Sequence, residues 1–502
     1  MMMQSRGVSK KKKAESGWHF VLHYFILILI LAVLLFTADN VTVAQAIEQN
    51  AANYVYMLFC IALLFVITYL YFIFENQTIL SSKRNVALVF TVLDLSVIVN
   101  FLIGQHIHIY ARPVALLAML IFILIGRREA IFMNVIGALL MFIVDNFSGV
   151  QLATKNEFYS SLLIAFSAGM CAIFLSTKFK TRFKVVLTGI IIVLPMNLII
   201  ALLDMAEFFR ENPQVGALPT WDMIFLEMGY GAFGGIMSTV LFLTVLPMFE
   251  IIFNCLTVYR LRELTSADAK VLRKLKEEAP GTFSHSMTVA QLAEACATAL
   301  GEDADYARAA AYYHDVGKLH YPEHFTENQG EYNLHDELTP ELSADMIRSH
   351  ARDGYALIRA HHLPNFLADV ALQHHGTMPI RYFYAKALKM TDGELNIEDF
   401  SYTGPKPQTK IAAIIMIADA SEAVVRSLKD RTPAAAEKAI RGIIEERMDL
   451  EQFSECDITM SDLTIIRRTL VSELTGVYHH RVNYPGIKYK RASDGKTTGE
   501  NE

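Results

Sequence analysis

Long apolar runs constrain this chain more than any other feature. Just over half of its 502 residues are hydrophobic (53%) and only 19% are charged, which is unusual for a soluble protein. The runs lie between Trp18 and Phe253, and each is close to the roughly 20 residues that cross a bilayer as a helix. We predict spans at residues 18–37, 53–74, 86–103, 110–125, 130–146, 158–176, 185–205 and 222–253. From Tyr259 onward the chain reads like a soluble protein.

Clustered cations predict the topology of the membrane half. Basic residues fall on alternate connections, at Lys10 to Lys13, Lys83-Arg84, Arg127-Arg128, Lys178 to Lys184 and Arg260 to Arg262. Because short basic loops stay cytoplasmic, we expect both termini and the soluble half on the cytoplasmic side of the membrane. A signal peptide is the alternative reading of the first span, but Thr37-Ala-Asp-Asn is a poor cleavage site, which favours a retained anchor.

A few polar residues interrupt the apolar spans. Asp145 and Asp204 lie near predicted span ends, so we expect them at the membrane interface. Asp94 and Asn100, with Gln105 to His108 at the end of the same span, leave open a polar cavity used in transport or ligand sensing.

The composition divides the chain into five parts. We predict a basic N-terminus (1–17), a transmembrane region (18–253), a stalk or linker (254–280), a soluble domain (281–490) and a polar tail (491–502). Alanine-rich and leucine-rich segments, without the alternating pattern of strands, predict that the soluble domain is all-helical. Its helices are predicted at 287–300, 305–313, 343–359, 367–373, 411–428, 434–447 and 461–478. The five cysteines are widely spaced and indicate ordinary packing.

The soluble half carries a set of nitrogen and oxygen donors suited to metal ions. The set consists of His285, His314, Asp315, His350, His374, His375 and Asp419. Imidazole and carboxylate donors suit iron, manganese or zinc, and an adjacent His-Asp pair allows one carboxylate to reach two ions. Asp419 supports this interpretation, because an unpaired carboxylate in the apolar stretch 411–418 would be costly to bury.

The order of these residues resembles the HD superfamily of metal-dependent phosphohydrolases. The wider sequence resembles its membrane-bound branch, the PgpH-type cyclic-di-AMP phosphodiesterases. Matching stretches include Glu278-Ala-Pro-Gly-Thr-Phe-Ser-His-Ser286, Tyr312-Tyr-His-Asp-Val-Gly-Lys318, Glu327-Asn-Gln329, Gln373-His-His-Gly-Thr377 with Tyr382-Phe-Tyr384, Gly404-Pro-Lys-Pro-Gln408 and Glu422-Ala-Val-Val-Arg-Ser427. The resemblance implies two divalent ions, iron or manganese, and hydrolysis of cyclic-di-AMP to linear pApA by a metal-activated water.

The resemblance also implies the role of each donor. His285, His314, Asp315 and Asp419 would serve one metal, and Asp315, His350, His374 and His375 the other, so that Asp315 bridges them.

Several cations and aromatic residues near the donors are candidate substrate contacts. Lys318 follows His314 by four residues, which would place both on one helix face with the lysine available to a phosphate or leaving group. Arg381 and Tyr382 would suit a phosphate and a stacked base, and Arg426 follows Asp419 by two turns. Solvated cations and core aromatics are the alternatives.

Two departures from the family pattern limit what the resemblance implies. Residues 38–52 stand where most members carry a large extracytoplasmic domain, and Ile411 stands where we expect a glutamate.

The alternative functions are an HD enzyme for another nucleotide, or a membrane receptor or transporter whose HD domain binds nucleotide without hydrolysing it. Cyclic-di-GMP is disfavoured as the substrate, because Gly376-Thr-Met-Pro follows His375 where the cyclic-di-GMP branch typically carries a loop with Gly-Tyr-Pro. We expect a cyclic dinucleotide and the lipid bilayer as partners, with a second copy of the chain as a further candidate, and no nucleic-acid polymer.

Overall fold

The computed structural model divides the protein into two compact units, Met1–Ser266 and Ala267–Glu502. It describes residues 10–38, 43–147, 155–177, 181–212, 221–330, 332–391, 393–430 and 432–477. The predicted polar tail and most of the basic N-terminus therefore lie outside the described residues. The division falls within the segment 254–280 that the sequence analysis assigns to a linker.

The first unit is built from ten helices in its described part. They are α1 (Lys10–Ala38), α2 (Val43–Phe74), α3 (Gln77–Leu80), α4 (Lys83–His106), α5 (Leu116–Leu124), α6 (Arg127–Phe147), α7 (Lys155–Ser176), α8 (Arg182–Glu211), α9 (Trp221–Ile252) and α10 (Val258–Leu264). Seven of these, α1, α2, α4 and α6 to α9, are long and apolar enough to cross a membrane. Large apolar side chains face outward, since Leu29, Phe59 and Leu194 are 65%, 71% and 70% exposed, as lipid contact requires.

The segment 110–125, predicted as one continuous span, is interrupted in the structure. A 3-10 turn at Ile109–Ala111 is followed by extended backbone at Arg112 and then by α5, which has only nine residues. The cause is the Arg112-Pro113 step, because proline lacks an N–H group and keeps the preceding residue out of the helical conformation.

The interrupted segment nevertheless runs along the length of α7. At one end His108 Nε2 lies 3.6 Å from Glu157 Oε1 at the start of α7. At the other end the Arg127 guanidinium lies 5.0 Å from the ring centre of Phe174, near the end of α7. Those two α7 positions are separated by roughly 25 Å at 1.5 Å per residue. The segment predicted as an additional span is therefore a broken element in the structure, and its membrane crossing stays a prediction.

A buried ion pair stabilises the break. The guanidinium of Arg112, 1% exposed, donates to both Asp145 oxygens at 2.5 and 2.8 Å. Asp145, which is predicted to lie near the membrane interface, is buried close to the end of α6. Two glycines make room, since a Cβ on Gly104 would lie 2.2 Å from Arg112 Nε and one on Gly234 would lie 2.6 Å from the Arg112 carbonyl oxygen.

The polar residues of α4 lie close to this break. Asp94 and Asn100 are buried, and Asn100 lines a cavity of about 30 Å³ together with Ser96 and Arg112. A volume of this size accommodates one or two water molecules.

The second unit is all-helical in its described part and includes one isolated β-bridge, between Pro379 and Ser401. Its helices are α11 (Lys270–Glu278), α12 (Pro280–Leu300), α13 (Ala304–Tyr313), α14 (Pro340–Ala360), α15 (Asn365–Gln373), α16 (Arg381–Leu388), α17 (Lys410–Ser427), α18 (Pro433–Asp449) and α19 (Met460–Val477). The predicted all-helical class is confirmed.

Capping residues determine where these helices begin. The hydroxyls of Thr339, Thr409 and Thr432 accept hydrogen bonds from backbone N–H groups three residues later, at the starts of α14, α17 and α18. Proline occupies the first position of α14 and α18, where its missing N–H costs nothing. These signals explain why the predicted ranges lie close to the observed ones.

Helix packing in the second unit brings the candidate donors together. Helix α12 contacts α13, α17 and α19, while α14 contacts α15 and the 3-10 segment Val316–His320. Helix α11 packs against α12 through its buried face, Val271, Leu272 and Leu275. This part of the stretch predicted as a stalk thus contributes to the core of the second unit.

Replacing Arg112 by Met should destabilise the first unit by about 3–5 kcal/mol, because the Asp145 carboxylate loses its buried guanidinium partner. The combined Arg112→Met and Asp145→Leu change should recover much of that loss. Thermal unfolding of the full chain in detergent measures both effects. Arg210→Met, at an exposed position (64%), is the matched control and should leave the melting temperature unchanged. Equal effects of Arg112→Met and the control would contradict the role of the pair.

Candidate metal centre

Five helices supply the seven candidate donors. His285 lies in α12, His314 follows α13, His350 lies in α14, His374 follows α15, and Asp419 lies in α17. Asp315 and His375 directly follow His314 and His374. All are buried except His375 and Asp419, which are partly buried. The structure therefore brings together every donor that the sequence predicts.

Asp315 stands between the other donors, with each carboxylate oxygen facing a different side. Its Oδ2 lies 3.3 Å from His314 Nε2 and 3.9 Å from His285 Nε2. Its Oδ1 lies 3.4 Å from His350 Nε2 and 3.6 Å from His374 Nε2. A carboxylate in this arrangement can supply one oxygen to each of two cations.

The donors form two groups. Within each group, the ligand atoms lie within 4.8 Å of one another. The first group consists of His285, His314 and Asp419, and the second group consists of Asp315, His350, His374 and His375. Asp419 also links the groups, since its Oδ1 lies 2.9 Å from His285 Nε2 and its Oδ2 lies 4.0 Å from His375 Nδ1.

Backbone carbonyls hold three of the histidine rings in place. Nδ1 of His314, His350 and His374 lies 2.7, 2.6 and 2.8 Å from the carbonyl oxygen three residues earlier. Each bond places the proton on Nδ1 and leaves the Nε2 lone pair directed at the other donors, as in metal-binding histidines.

Unsatisfied atoms support a metal-binding interpretation. Among the described residues, His314 Nε2 and Asp315 Oδ1 are buried without a hydrogen-bond partner. Nε2 of His350 and Nε2 of His374 lie 3.2 Å apart, although both are the acceptor atoms of rings whose Nδ1 carries the proton. A cation between these atoms removes the cost of burying them, so the residues present fit a pair of metal ions.

The two groups differ in their electrostatics. Burial lowers the pKa of His285, but hydrogen bonds to Asp419 and Glu422 outweigh burial and raise that pKa to about 9. Burial likewise opposes protonation of His314, yet Asp315 and Asp419 raise its pKa to about 10. In the second group burial dominates and lowers the pKa of His350 to about 3. The first group therefore binds protons when no metal is present, and His350 does not.

Three buried or partly buried residues next to the donors escaped the sequence analysis as individual candidates. Glu422 Oε2 lies 2.7 Å from His285 Nδ1, and Glu327 Oε1 lies 2.8 Å from Lys318 Nζ. The ring of Tyr402 stacks on His375 with ring centres 4.3 Å apart. Spacing gave a signal only for Glu422, which follows Asp419 by three residues and so shares its helix face.

The predicted helical relation between Lys318 and His314 is wrong. Helix α13 ends at Tyr313, and Lys318 lies in the 3-10 segment Val316–His320. Its ammonium group nevertheless reaches the centre, 2.8 Å from Asp315 Oδ2 and 2.8 Å from Glu327 Oε1.

The remaining predicted substrate contacts lie on the surface of the second unit. Arg381 is 65% exposed and pairs with Glu446 at 2.7 Å, and Tyr382 is 67% exposed. Arg426 contacts Glu422, with 3.5 Å between Nη1 and Oε1. The described contacts of these residues are thus with protein groups or solvent.

The fold and the site define a class of protein, in which a membrane-helix unit is joined to an HD-type domain with donors for metal. Family models agree: "HD domain" matches residues 282–424 and "7TM receptor with intracellular HD hydrolase" matches residues 51–257. The chain belongs to this membrane-bound 7TM-HD family, and it is a membrane protein.

Curated relatives carry a more specific name. The chain is 39% identical over 398 residues to "Cyclic-di-AMP phosphodiesterase PgpH" of Listeria monocytogenes, which covers 78% of this chain and 52% of the relative. It is 36% identical over 414 residues to the protein of the same name in Bacillus subtilis, covering 82% of this chain and 56% of the relative. The chain spans about half the length of these relatives.

Crystal structures of the L. monocytogenes PgpH HD domain also match. One is 47% identical, with a TM-score of 0.41, and covers 42% of this chain and 100% of that domain. Another, in complex with cyclic-di-AMP, is 48% identical, with a TM-score of 0.41, and covers 43% of this chain and 99% of that domain.

Gly317→Ala should reduce metal content, because the new Cβ would lie 1.9 Å from the His350 carbonyl oxygen and 2.4 Å from the Gly354 nitrogen. Both are backbone atoms of α14, so the segment that follows Asp315 must move away from His350. Metal content per chain, by elemental analysis, checks the expectation. Gly442→Ala, a helical position with no atom within 4 Å, is the control and should keep its metal. Full metal retention in Gly317→Ala would refute the close-packing argument.

Metal binding to the first group should release protons near neutral pH. His285 and His314, with pKa values of about 9 and about 10, are protonated at pH 7 and must lose those protons before they bind a metal. Affinity at this group should therefore rise from pH 7 to about pH 9. Calorimetric titration of the metal-free full chain in two buffers of different ionisation enthalpy measures the release. A binding enthalpy that is independent of the buffer would contradict the prediction.

Proposed function

We propose that this chain is a membrane-anchored, metal-dependent phosphodiesterase that opens cyclic-di-AMP to linear pApA. The observation that carries the proposal is Asp315, whose two oxygens face two separate groups of donors. Two curated relatives named as cyclic-di-AMP phosphodiesterases support the choice of substrate.

The proposed cofactors are two divalent ions, iron or manganese. The first group with Asp315 would hold one ion, and the second group the other. Nitrogen and carboxylate donors without thiolate suit these metals. When bound, the ions would supply Lewis-acid activation of water and neutralise charge on the phosphodiester.

In the proposed reaction, water adds to phosphorus and the bond from phosphorus to the 3′ oxygen breaks. The leaving oxygen takes a proton, and the product carries one 5′-phosphate and one free 3′-hydroxyl. Lys318 can assist, because Asp315 and Glu327 engage two of its three N–H donors. The third, on an ammonium group 4.8 Å from the centre of the Phe325 ring, is proposed to donate to a phosphate oxygen or the leaving group. Asp315 and Glu327 also keep this lysine charged, since their nearby carboxylates raise its pKa against the opposing effect of burial.

Base recognition is proposed for the exposed face of α16. Tyr382 and Arg381 stand at the start of this helix, shortly after His375 in the chain. The buried side of α16 is fixed in place, because Phe383 and Ala387 pack against Ala344 of α14 and against Phe400. A tyrosine ring and a guanidinium on a fixed helix suit stacking on a purine.

The proposed location is the bacterial plasma membrane, with several crossings and the second unit in the cytoplasm. Basic residues fall on every second connection between the predicted spans, so all of these connections share one side, which supports this orientation. We further propose a homodimer, since the chain is anchored in the plane of the membrane and two copies need only diffuse in two dimensions to meet.

Hydrolysis by the full chain in detergent, loaded with manganese or iron, tests the function. Cyclic-di-AMP, cyclic-di-GMP and ATP are supplied separately and products are separated by chromatography. We expect pApA from cyclic-di-AMP and little product from the others. Asp315→Ala should lose activity together with metal, because it removes an oxygen from both donor groups.

Other outcomes distinguish the alternatives. Turnover of a different nucleotide would assign the chain to another HD specificity. Binding of cyclic-di-AMP without turnover, in a folded and metal-loaded sample, would indicate a receptor or transporter and would overturn the enzyme proposal.

A further inference from the structure

We propose that Glu422 is a positioning residue that orients His285 and makes the first group the tighter of the two metal positions. The proposal rests on the metal-binding part of the proposed function and is independent of the substrate.

Glu422 is placed to fix the protonation of one ring. It is 2% exposed and lies on α17 three residues after Asp419, so both carboxylates share a helix face. Its Oε2 lies 2.7 Å from His285 Nδ1, while His285 Nε2 lies 2.9 Å from Asp419 Oδ1. With the proton on Nδ1 donated to Glu422, the Nε2 lone pair is directed at the first group.

Among the described residues, no histidine of the second group has a hydrogen bond from Nδ1 to a carboxylate, since His375 Nδ1 lies 4.0 Å from Asp419 Oδ2. His350 and His374 donate Nδ1–H to backbone carbonyls, as does His314. An anionic acceptor increases the basicity of an imidazole ligand more than a neutral carbonyl does, because it stabilises the positive charge that the ring shares with the metal. His285 is therefore the strongest imidazole donor of the centre, and the two positions are unequal.

Arg426 acts through Glu422. Its Nη1 lies 3.5 Å from Glu422 Oε1, four residues earlier on the helix, and its side chain is 44% exposed. A buried carboxylate needs a cationic partner, and Arg426 supplies it from the protein surface. The residue that the sequence suggested as a substrate contact is thus assigned to holding Glu422.

Metal titration in two backgrounds tests the asymmetry. In the full chain, His350→Ala weakens the second group and leaves the first to be measured, whereas Asp419→Ala does the reverse. Manganese affinity is measured by competition with a chelating dye, so the test needs no substrate and stays informative if the proposed hydrolysis fails. Adding Glu422→Ala should weaken binding about 10–100-fold in the His350→Ala background and leave it unchanged in the Asp419→Ala background.

Milder variants and a control guard against unfolding. Glu422→Gln keeps a hydrogen-bond acceptor without the charge, so it should cause a smaller loss than alanine. Glu437→Gln removes the carboxylate of an i,i+4 pair with Arg441 on α18 and should not change affinity in either background. Equal losses in both backgrounds, or no loss with a folded Glu422→Ala chain, would overturn the proposal.

The two roles of Arg426 are separable by kinetics. A positioning role predicts that Arg426→Ala weakens metal binding at the first group while KM at saturating metal is unchanged, and that Arg426→Lys restores most of the affinity. A raised KM with unchanged metal affinity would instead assign Arg426 to the substrate.

Discussion

The metal centre of the second unit depends on one constraint, the free-energy cost of burying the Asp315 carboxylate. An ionised group that is 1% exposed is tolerated only where cations or strong donors surround it. Here Lys318 supplies one such contact to Oδ2, while Oδ1 faces the Nε2 atoms of His350 and His374 from two helices, an arrangement that calls for a metal cation between them. The helix packing can be understood as the arrangement that delivers these groups to one carboxylate. It also explains why residues far apart in sequence must fold together before the site exists.

Much of this unit could be predicted from sequence because its signals are local. Thr339 and Thr432 each precede a proline that starts a helix, and these pairs locate α14 and α18 within a few residues. The donor set was predictable for a different reason. Histidines and an aspartate in an otherwise apolar setting need partners, and Asp419 in α17 has few possibilities other than cations.

The errors arose where long-range contacts override local pattern. The apolar stretch around Arg112 has the length of a span, yet the Arg112-Pro113 step and the pairing with Asp145 break its helix. Lys318 lies at helical spacing from His314, but α13 ends first and the lysine reaches the site through a tighter turn. The partnership of Glu422 with His285 joins positions 137 residues apart, which no local pattern reports.

The interrupted segment around Arg112 also has a consequence for how this family can diverge. The guanidinium of Arg112 occupies the space that a side chain at Gly104 would need, and its backbone does the same at Gly234. A change at any of these positions, or at Asp145, alters the requirements on the others. The four positions should therefore vary as a set among homologues, with glycine at 104 and 234 kept wherever arginine and aspartate are kept. Lineages that lose the ion pair should be free to fill position 104, whereas position 234 faces backbone atoms and should stay glycine for as long as a proline at 113 keeps the element broken.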